Sequence, residues 1–163
     1  VLALLNKGFF VDLIAFTKET DDRLASDIVE AFRKRGGVHT ICYKDAFDAI
    51  EDLKRYKITI SMRFHALVLS LLAEIPTVPI AYGHKTYSLA EKSGLSEYVM
   101  IWNSFQKEYY GYTQDMKADD LLQKVDLIIS QYDEVKEKMK QHTENLKASA
   151  KDAMNQLLTI VDQ

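Results

Sequence analysis

An α/β fold, a parallel sheet with helices on both faces and a long helical tail, is what this sequence predicts, and three observations predict it. Ile58 to Lys85, ITISMRFHALVLSLLAEIPTVPIAYGHK, reads as strand, helix and strand in one continuous run. Ahead of it, two further short strands alternate with amphipathic helices, the order that parallel pairing requires. Behind it, apolar residues recur at spacings of three and four almost to the end of the chain. We therefore expect residues 1–117 to form one α/β lobe and residues 118–163 a helical tail packed on it.

In chain order, Asp12 to Thr17 is the first expected strand, followed by a polar loop, KETDD, and a helix from about Arg23 to Arg35. Leu24, Ile28, Val29 and Phe32 mark the buried side of that helix, Asp21 or Asp22 can cap it, and Gly36 and Gly37 stop it. Thr40 to Tyr43 is the second strand, with Cys42 inside it as a small buried hydrophobe. Ala46, Phe47, Ile50 and Leu53 define the next helix, with Asp45 as its N-cap. Strand Ile58 to Ser61, helix Phe64 to Ala73 and strand Thr77 to Ala81 follow. Then come a short helix over SLAEKSGL, ended by Gly94, a short strand from Tyr98 to Trp102, and the loop FQKEYYGY. In the tail, Leu121, Val125, Ile128, Tyr132, Val135 and Met139 form the apolar stripe, and Leu146, Ala150, Leu157 and Val161 carry it onward.

The balance of 47% hydrophobic and 28% charged residues over 163 positions is that of a folded soluble domain. A formal net charge of −3 and the lack of a basic stripe argue against nucleic acid. The longest apolar run is broken by Glu74 and Pro76 and falls short of the roughly 20 residues a bilayer requires. VLALLNKGFFV lacks the basic start and cleavage pattern of a signal peptide, and because the chain opens on Val1 we expect it to be cut from a longer polypeptide. One cysteine permits no internal disulfide and agrees with a reducing, cytoplasmic setting. Dinucleotide, NTPase, serine-hydrolase and zinc motifs are absent, and the four histidines lack ligand spacing, so no metal is expected.

The unusual polar residues gather in the central run. Ser61, Arg63 and His65 fall where the first of its strands hands over to a strongly apolar helix, whose unpaired amides and positive dipole end favour an anion. Tyr82, Gly83, His84 and Lys85 stand at the end of the next strand. Neighbouring parallel strands present their carboxyl ends on one edge, so both sets are expected to face one pocket suited to a small, multiply charged anion. Glu19 and Asp22, in the charged loop after the first strand, are candidates for its rim. Taken singly, each residue also has a structural reading: Arg63 as an ion pair across the domain, His65 as a satisfied histidine, Lys85 as a solvated lysine.

SMRFHALVLSLLAEIPTVPIAYGHK resembles the core motif of the polysaccharide pyruvyl transferase family, in which an Arg-x-His-Ala helix and a Pro turn lead to a strand ending in a Tyr-x-x-Lys element. Arg63, His65, Ala66, Pro76, Tyr82 and Lys85 match that pattern. His84 replaces the usual proline, and the run from the first helix to Ile58 is short for the family by about one strand and helix. The resemblance implies a Rossmann-like lobe, the C-terminal half of a fold like that of the B-type glycosyltransferases. It also implies transfer of a pyruvyl group from phosphoenolpyruvate to sugar hydroxyls of a cell-surface polysaccharide or its lipid-linked precursor, on the cytoplasmic side and at the inner membrane face, with the acceptor and a missing N-terminal lobe as partners. Phosphoenolpyruvate would be a donor substrate, with no cofactor expected, and self-association is left open. On this reading His65 and Arg63 are catalytic, and Ser61, Tyr82, Gly83, His84 and Lys85 join them in holding the donor. The alternatives are a nucleotide-sugar-binding lobe of a glycosyltransferase or epimerase, and a non-catalytic domain that binds a partner through the tail and FQKEYYGY.

Overall fold

The structure, a computed structural model, describes residues 1–16, 18–102 and 116–161, with the backbone alone for 18–20 and 159–161. FQKEYYGY lies outside the described residues. The elements run α1 (Leu2–Asn6), β1 (Val11–Ile14), α2 (Lys18–Phe32), β2 (Val38–Ile41), α3 (Ala46–Leu53), β3 (Thr59–Ser61), α4 (Phe64–Leu72), β4 (Thr77–Ala81), α5 (His84–Lys92), β5 (Met100–Ile101), α6 (Ala118–Ser130) and α7 (Tyr132–Val161). Every ladder is parallel, as the alternation of strand and helix requires.

The strands form two ladders rather than the one sheet expected: β1 pairs with β2, and β3, β4 and β5 pair in that order. β4 is the most enclosed element, with all five residues buried, in keeping with the apolar run VPIA that follows Thr77. Leu67 and Leu71 of α4, Val78 and Ile80 of β4, Val125 and Ile128 of α6, and Val135 and Met139 of α7 share the main core. A second cluster joins α3 to α4 through Ala49, Leu53 and Leu69.

Asp45 caps α3 as its sequence indicated, accepting from the amides of Phe47 and Asp48 at 2.9 Å each. α2 begins at Lys18, five residues before the expected start, so KETDD is helical and neither Asp21 nor Asp22 is its cap. A run of acids is as good a first turn as a loop, because the positive end of the helix favours it. α5 begins at His84 with Gly83 as N-cap, so His84 and Lys85 belong to a helix and not to a strand end. Cys42 lies beyond the end of β2 and is exposed, which corrects its reading as a buried strand residue.

Gly94 ends α5 at φ +73°, and a Cβ there would stand 2.9 Å from the His142 ring of α7, so both the turn and the close approach require glycine. The tail stripe is interrupted by a turn at Gln131, and it leaves the core toward its end: Leu157 is 59% exposed, and the side chain of Val161 lies outside the described residues.

Candidate functional site

Two helices start directly from neighbouring strands. β3 and β4 are in register, Ser61 opposite Pro79, and each is followed within two residues by a helix, α4 after Met62 and Arg63 and α5 after Tyr82 and Gly83. Neither N-terminus has a side-chain cap or an acidic residue in its first turn. By contrast α3 has Asp45 and Asp48, α6 has Asp119 and Asp120, and α7 has Asp133 and Glu134. The two uncapped ends carry basic residues instead: Arg63 and His65 at one, His84 and Lys85 at the other. Helix starts present amides that have no partner within the helix, together with the positive end of the dipole, and two of them side by side make this edge attractive to an anion.

Arg63 has an extended backbone and a half-exposed side chain, and its Nη2 donates to Asp21 Oδ1 at 2.7 Å. Asp21, and less strongly the Tyr82 hydroxyl, raise its pKa further. Tyr82 is thus brought beside Arg63 from the neighbouring strand end. Asp21 was identified from sequence only as a helix cap. Its pairing with Arg63 spans 42 residues, and no local pattern signals it. Asp22 is partly buried on the same turn, and the Glu19 side chain lies outside the described residues.

The remaining candidates are distributed differently from the single pocket expected. Arg63 and Asp21 lie on a groove of about 450 Å³ between β1 and β3. His65 turns instead toward a second cavity of about 460 Å³ among Phe16, Tyr43, Ala49, Val68 and Leu72. The reason is the corner between them: Arg63 is the extended N-cap and His65 the second residue of the helix, so their side chains leave the chain on different sides. Tyr82, Gly83, His84 and Lys85 line neither cavity and stand at the open edge, with Tyr82, His84 and Lys85 exposed.

Ser61 is buried, with its hydroxyl 3.1 Å from that of Thr77, so its side chain ties β3 to β4 rather than reaching a ligand. A similar chain fixes α4 to β3: the Thr59 hydroxyl donates to Ser70 Oγ at 2.8 Å, and Ser70 donates to the Ala66 carbonyl at 2.8 Å. The first of these bonds holds the later half of α4 against β3.

Sequence reasoning also missed Tyr43. Its hydroxyl is buried without a hydrogen-bond partner among the described residues, in the cavity that His65 lines, and burial, then Asp52, push its pKa up to about 12. Across the groove, Tyr56 donates to Asp12 Oδ2 at 2.7 Å, and the other Asp12 oxygen lies 3.1 Å from His39 Nδ1. Burial and that bond to Asp12 raise the Tyr56 pKa. Among the described residues there is no group of three or more His, Cys, Asp or Glu able to hold a metal ion, and no helix long and apolar enough to cross a membrane.

A family model described as polysaccharide pyruvyl transferase matches residues 1–84, just over half of the chain. The match takes in β1 to β4, the Arg63 and His65 corner and the start of α5. No curated protein and no solved structure matches the chain.

Proposed function

Because the chain belongs to the polysaccharide pyruvyl transferase family, we propose that its part in the reaction is to seat the donor, phosphoenolpyruvate, at the carboxyl edge of β3 and β4. One observation carries this reading: two neighbouring helix N-termini, both without acidic caps, are flanked by Arg63 and His65 on one side and His84 and Lys85 on the other. Phosphoenolpyruvate bears a phosphate and a carboxylate, and two adjacent anion-favouring ends suit a ligand with two anionic groups. Asp21 takes up one donor of the Arg63 fork and orients it, and the guanidinium has five. Lys85 supplies a point charge at the other helix start.

In the reaction, a proton is added to the methylene carbon of the donor, leaving cationic character at the central carbon. A sugar hydroxyl attacks that carbon and gives up its proton. A second hydroxyl then displaces the phosphate, which leaves with its bonding electron pair and takes up that hydroxyl's proton, and the cyclic ketal closes. Arg63 and Lys85 stabilise the charge that develops on the leaving phosphate, and His65 is the candidate for proton transfer, by a turn of its ring out of the neighbouring cavity toward the donor. The acceptor is a saccharide of a cell-surface polysaccharide or its precursor, held by a further lobe facing this one, as in the two-lobed B-type glycosyltransferase arrangement. The reaction would then take place at the cytoplasmic face of the membrane.

The Arg63–Asp21 pair favours a second reading, in which Arg63 is a structural link and the domain binds a partner without catalysis. Calorimetric titration with phosphoenolpyruvate separates the two. Saturable binding that is weakened at least tenfold by Arg63→Ala, with a UDP-sugar failing to compete, supports the donor seat. Equal binding to wild type and variant would make Arg63 structural, and displacement by the UDP-sugar would point to a nucleotide-sugar lobe.

A further inference from the structure

The groove between β1 and β3 has the lining of a missing strand. All four residues of β1 and all three of β3 border it. Side chains alternate sides along a strand, so consecutive residues can share one cavity only if it is the strand's edge that faces it. Backbone groups alternate too. The amides of Val11 and Thr59 point away from the groove, to Gly37 and Pro76, so those of Asp12, Ile14 and Ile60 point into it. Among the described residues no backbone group bonds across the groove. Long side chains span it instead at its two ends, Tyr56 to Asp12 and Arg63 to Asp21, which shows that β1 and β3 run in the same direction. Its walls are apolar on both sides of the strand plane: Leu4 of α1, Leu24 and Ile28 of α2, Val125 of α6, and Leu53 and Ala66 of α3 and α4. Leu24 is 62% exposed and Ile60 37%, and both border this groove.

We infer that this groove is the seat of a parallel β-strand contributed by the same polypeptide ahead of Val1, which joins the two ladders into one six-stranded sheet, β2-β1-strand-β3-β4-β5. Connectivity selects this source over a second molecule. α1 leads directly into β1, and Val1 itself borders the groove. A strand in the groove, then α1, then β1 repeats the step β1, α2, β2 in the same direction across the sheet. Right-handed crossovers taken in one direction place their helices on one face, and Leu4 of α1 and Leu24 of α2 both border the same groove. The incoming strand is about four to five residues long, to match its neighbours. It is apolar on both faces, as central parallel strands are. The sheet would change direction of winding at this strand, so its carboxyl end would stand beside Arg63 and Asp21 at the switch point where ligands of such sheets bind. The inference rests on the strand edges and not on the donor chemistry.

Amide hydrogen exchange tests it on two proteins, the 163-residue chain and the same chain extended by the residues its gene encodes before Val1. The expected result is rapid exchange at Asp12, Ile14 and Ile60 in the shorter protein, and slowing of at least 100-fold at these three in the longer one, with much smaller changes at Val11 and Thr59. Introducing a lysine at Ile60 of the extended protein should abolish the slowing. If the longer protein does not fold, the upstream residues added as a synthetic peptide should give the same protection. Unchanged rates on extension, protection already present in the shorter protein, or no upstream coding sequence would each overturn the inference. Protection that rises with protein concentration, together with a dimer in sedimentation, would assign the groove to a second copy and overturn it as well.

Discussion

Placing a carboxylate at Gly83 should make the protein more stable and a poorer donor binder at once. Gly83 is the N-cap of α5, with an extended backbone that any residue adopts and open space around its Cα. An aspartate cap improves on glycine by about 0.3 kcal/mol. Its charge at the helix dipole adds about 0.3–1 kcal/mol, and the reduced freedom of the unfolded chain adds about 0.4–1 kcal/mol. A net gain of about 1 kcal/mol follows, which for a chain of this length raises Tm by about 2–4 °C. The same carboxylate would occupy the amides assigned to the donor. At about 6 Å and an effective dielectric near 20, it opposes each phosphate charge by about 2–3 kcal/mol, and solvent screening roughly halves this. Each remaining 1.4 kcal/mol or so is tenfold in affinity, so a phosphate dianion should bind about 10–100-fold more weakly. Scanning calorimetry and phosphoenolpyruvate titration of Gly83→Asp, beside Gly83→Ala as a neutral control, measure both effects. Higher stability with unchanged donor affinity would refute the assignment of the α5 N-terminus to the donor.

Asp21→Asn should tighten anion binding several-fold by releasing Arg63 from its carboxylate partner, while lowering thermal stability, and calorimetry with phosphoenolpyruvate would read the first effect directly. Leu67→Ala, at a fully buried position of α4 within the main core, should cost about 3–4 kcal/mol in denaturant unfolding, and a loss below about 1.5 kcal/mol would mean that α4 is not clamped in the core. Tyr43 and Tyr56 both titrate above the ordinary tyrosine value of 10.0, so the folded state holds their protons more tightly than the unfolded one. Their stabilising contribution is complete below pH 10 and is lost as pH rises through their folded values, about 12 for Tyr43. Unfolding followed from pH 9 to 12 should show this decline, and Tyr43→Phe with Tyr56→Phe should flatten it.

The central run was legible because its signals are redundant. Thr77 to Ala81 is apolar after its first residue, and its bounds match the sequence reading. Asp45 could be identified as a cap because a lone acid precedes an amphipathic stretch. The start of α2 was hidden because KETDD has the composition of a solvated loop and also of a favourable first helical turn. The start of α5 was hidden because glycine at the N-cap leaves no side-chain signature. Periodicity in α7 reports which side is apolar but not whether anything covers it, so Leu157 reads like a buried position and is exposed.

At the site, the residue types were readable and their grouping was not. Motif spacing placed Arg63 and His65 together, yet one residue between them on a helix start sends them to different cavities. The Asp21 partner and the burial of the Tyr43 hydroxyl depend on contacts between distant segments, which no local pattern encodes. The split between the two ladders was equally invisible, because each strand taken alone has ordinary patterning.

The central claim is that the paired N-termini of α4 and α5 form the donor seat, and backbone amide chemical shifts during a phosphoenolpyruvate titration test it most directly. The account predicts the largest shifts at Phe64 to Ala66 and His84 to Thr86, saturating together at one affinity. Shifts confined to the cavity around Tyr43, or none at millimolar donor, would contradict it.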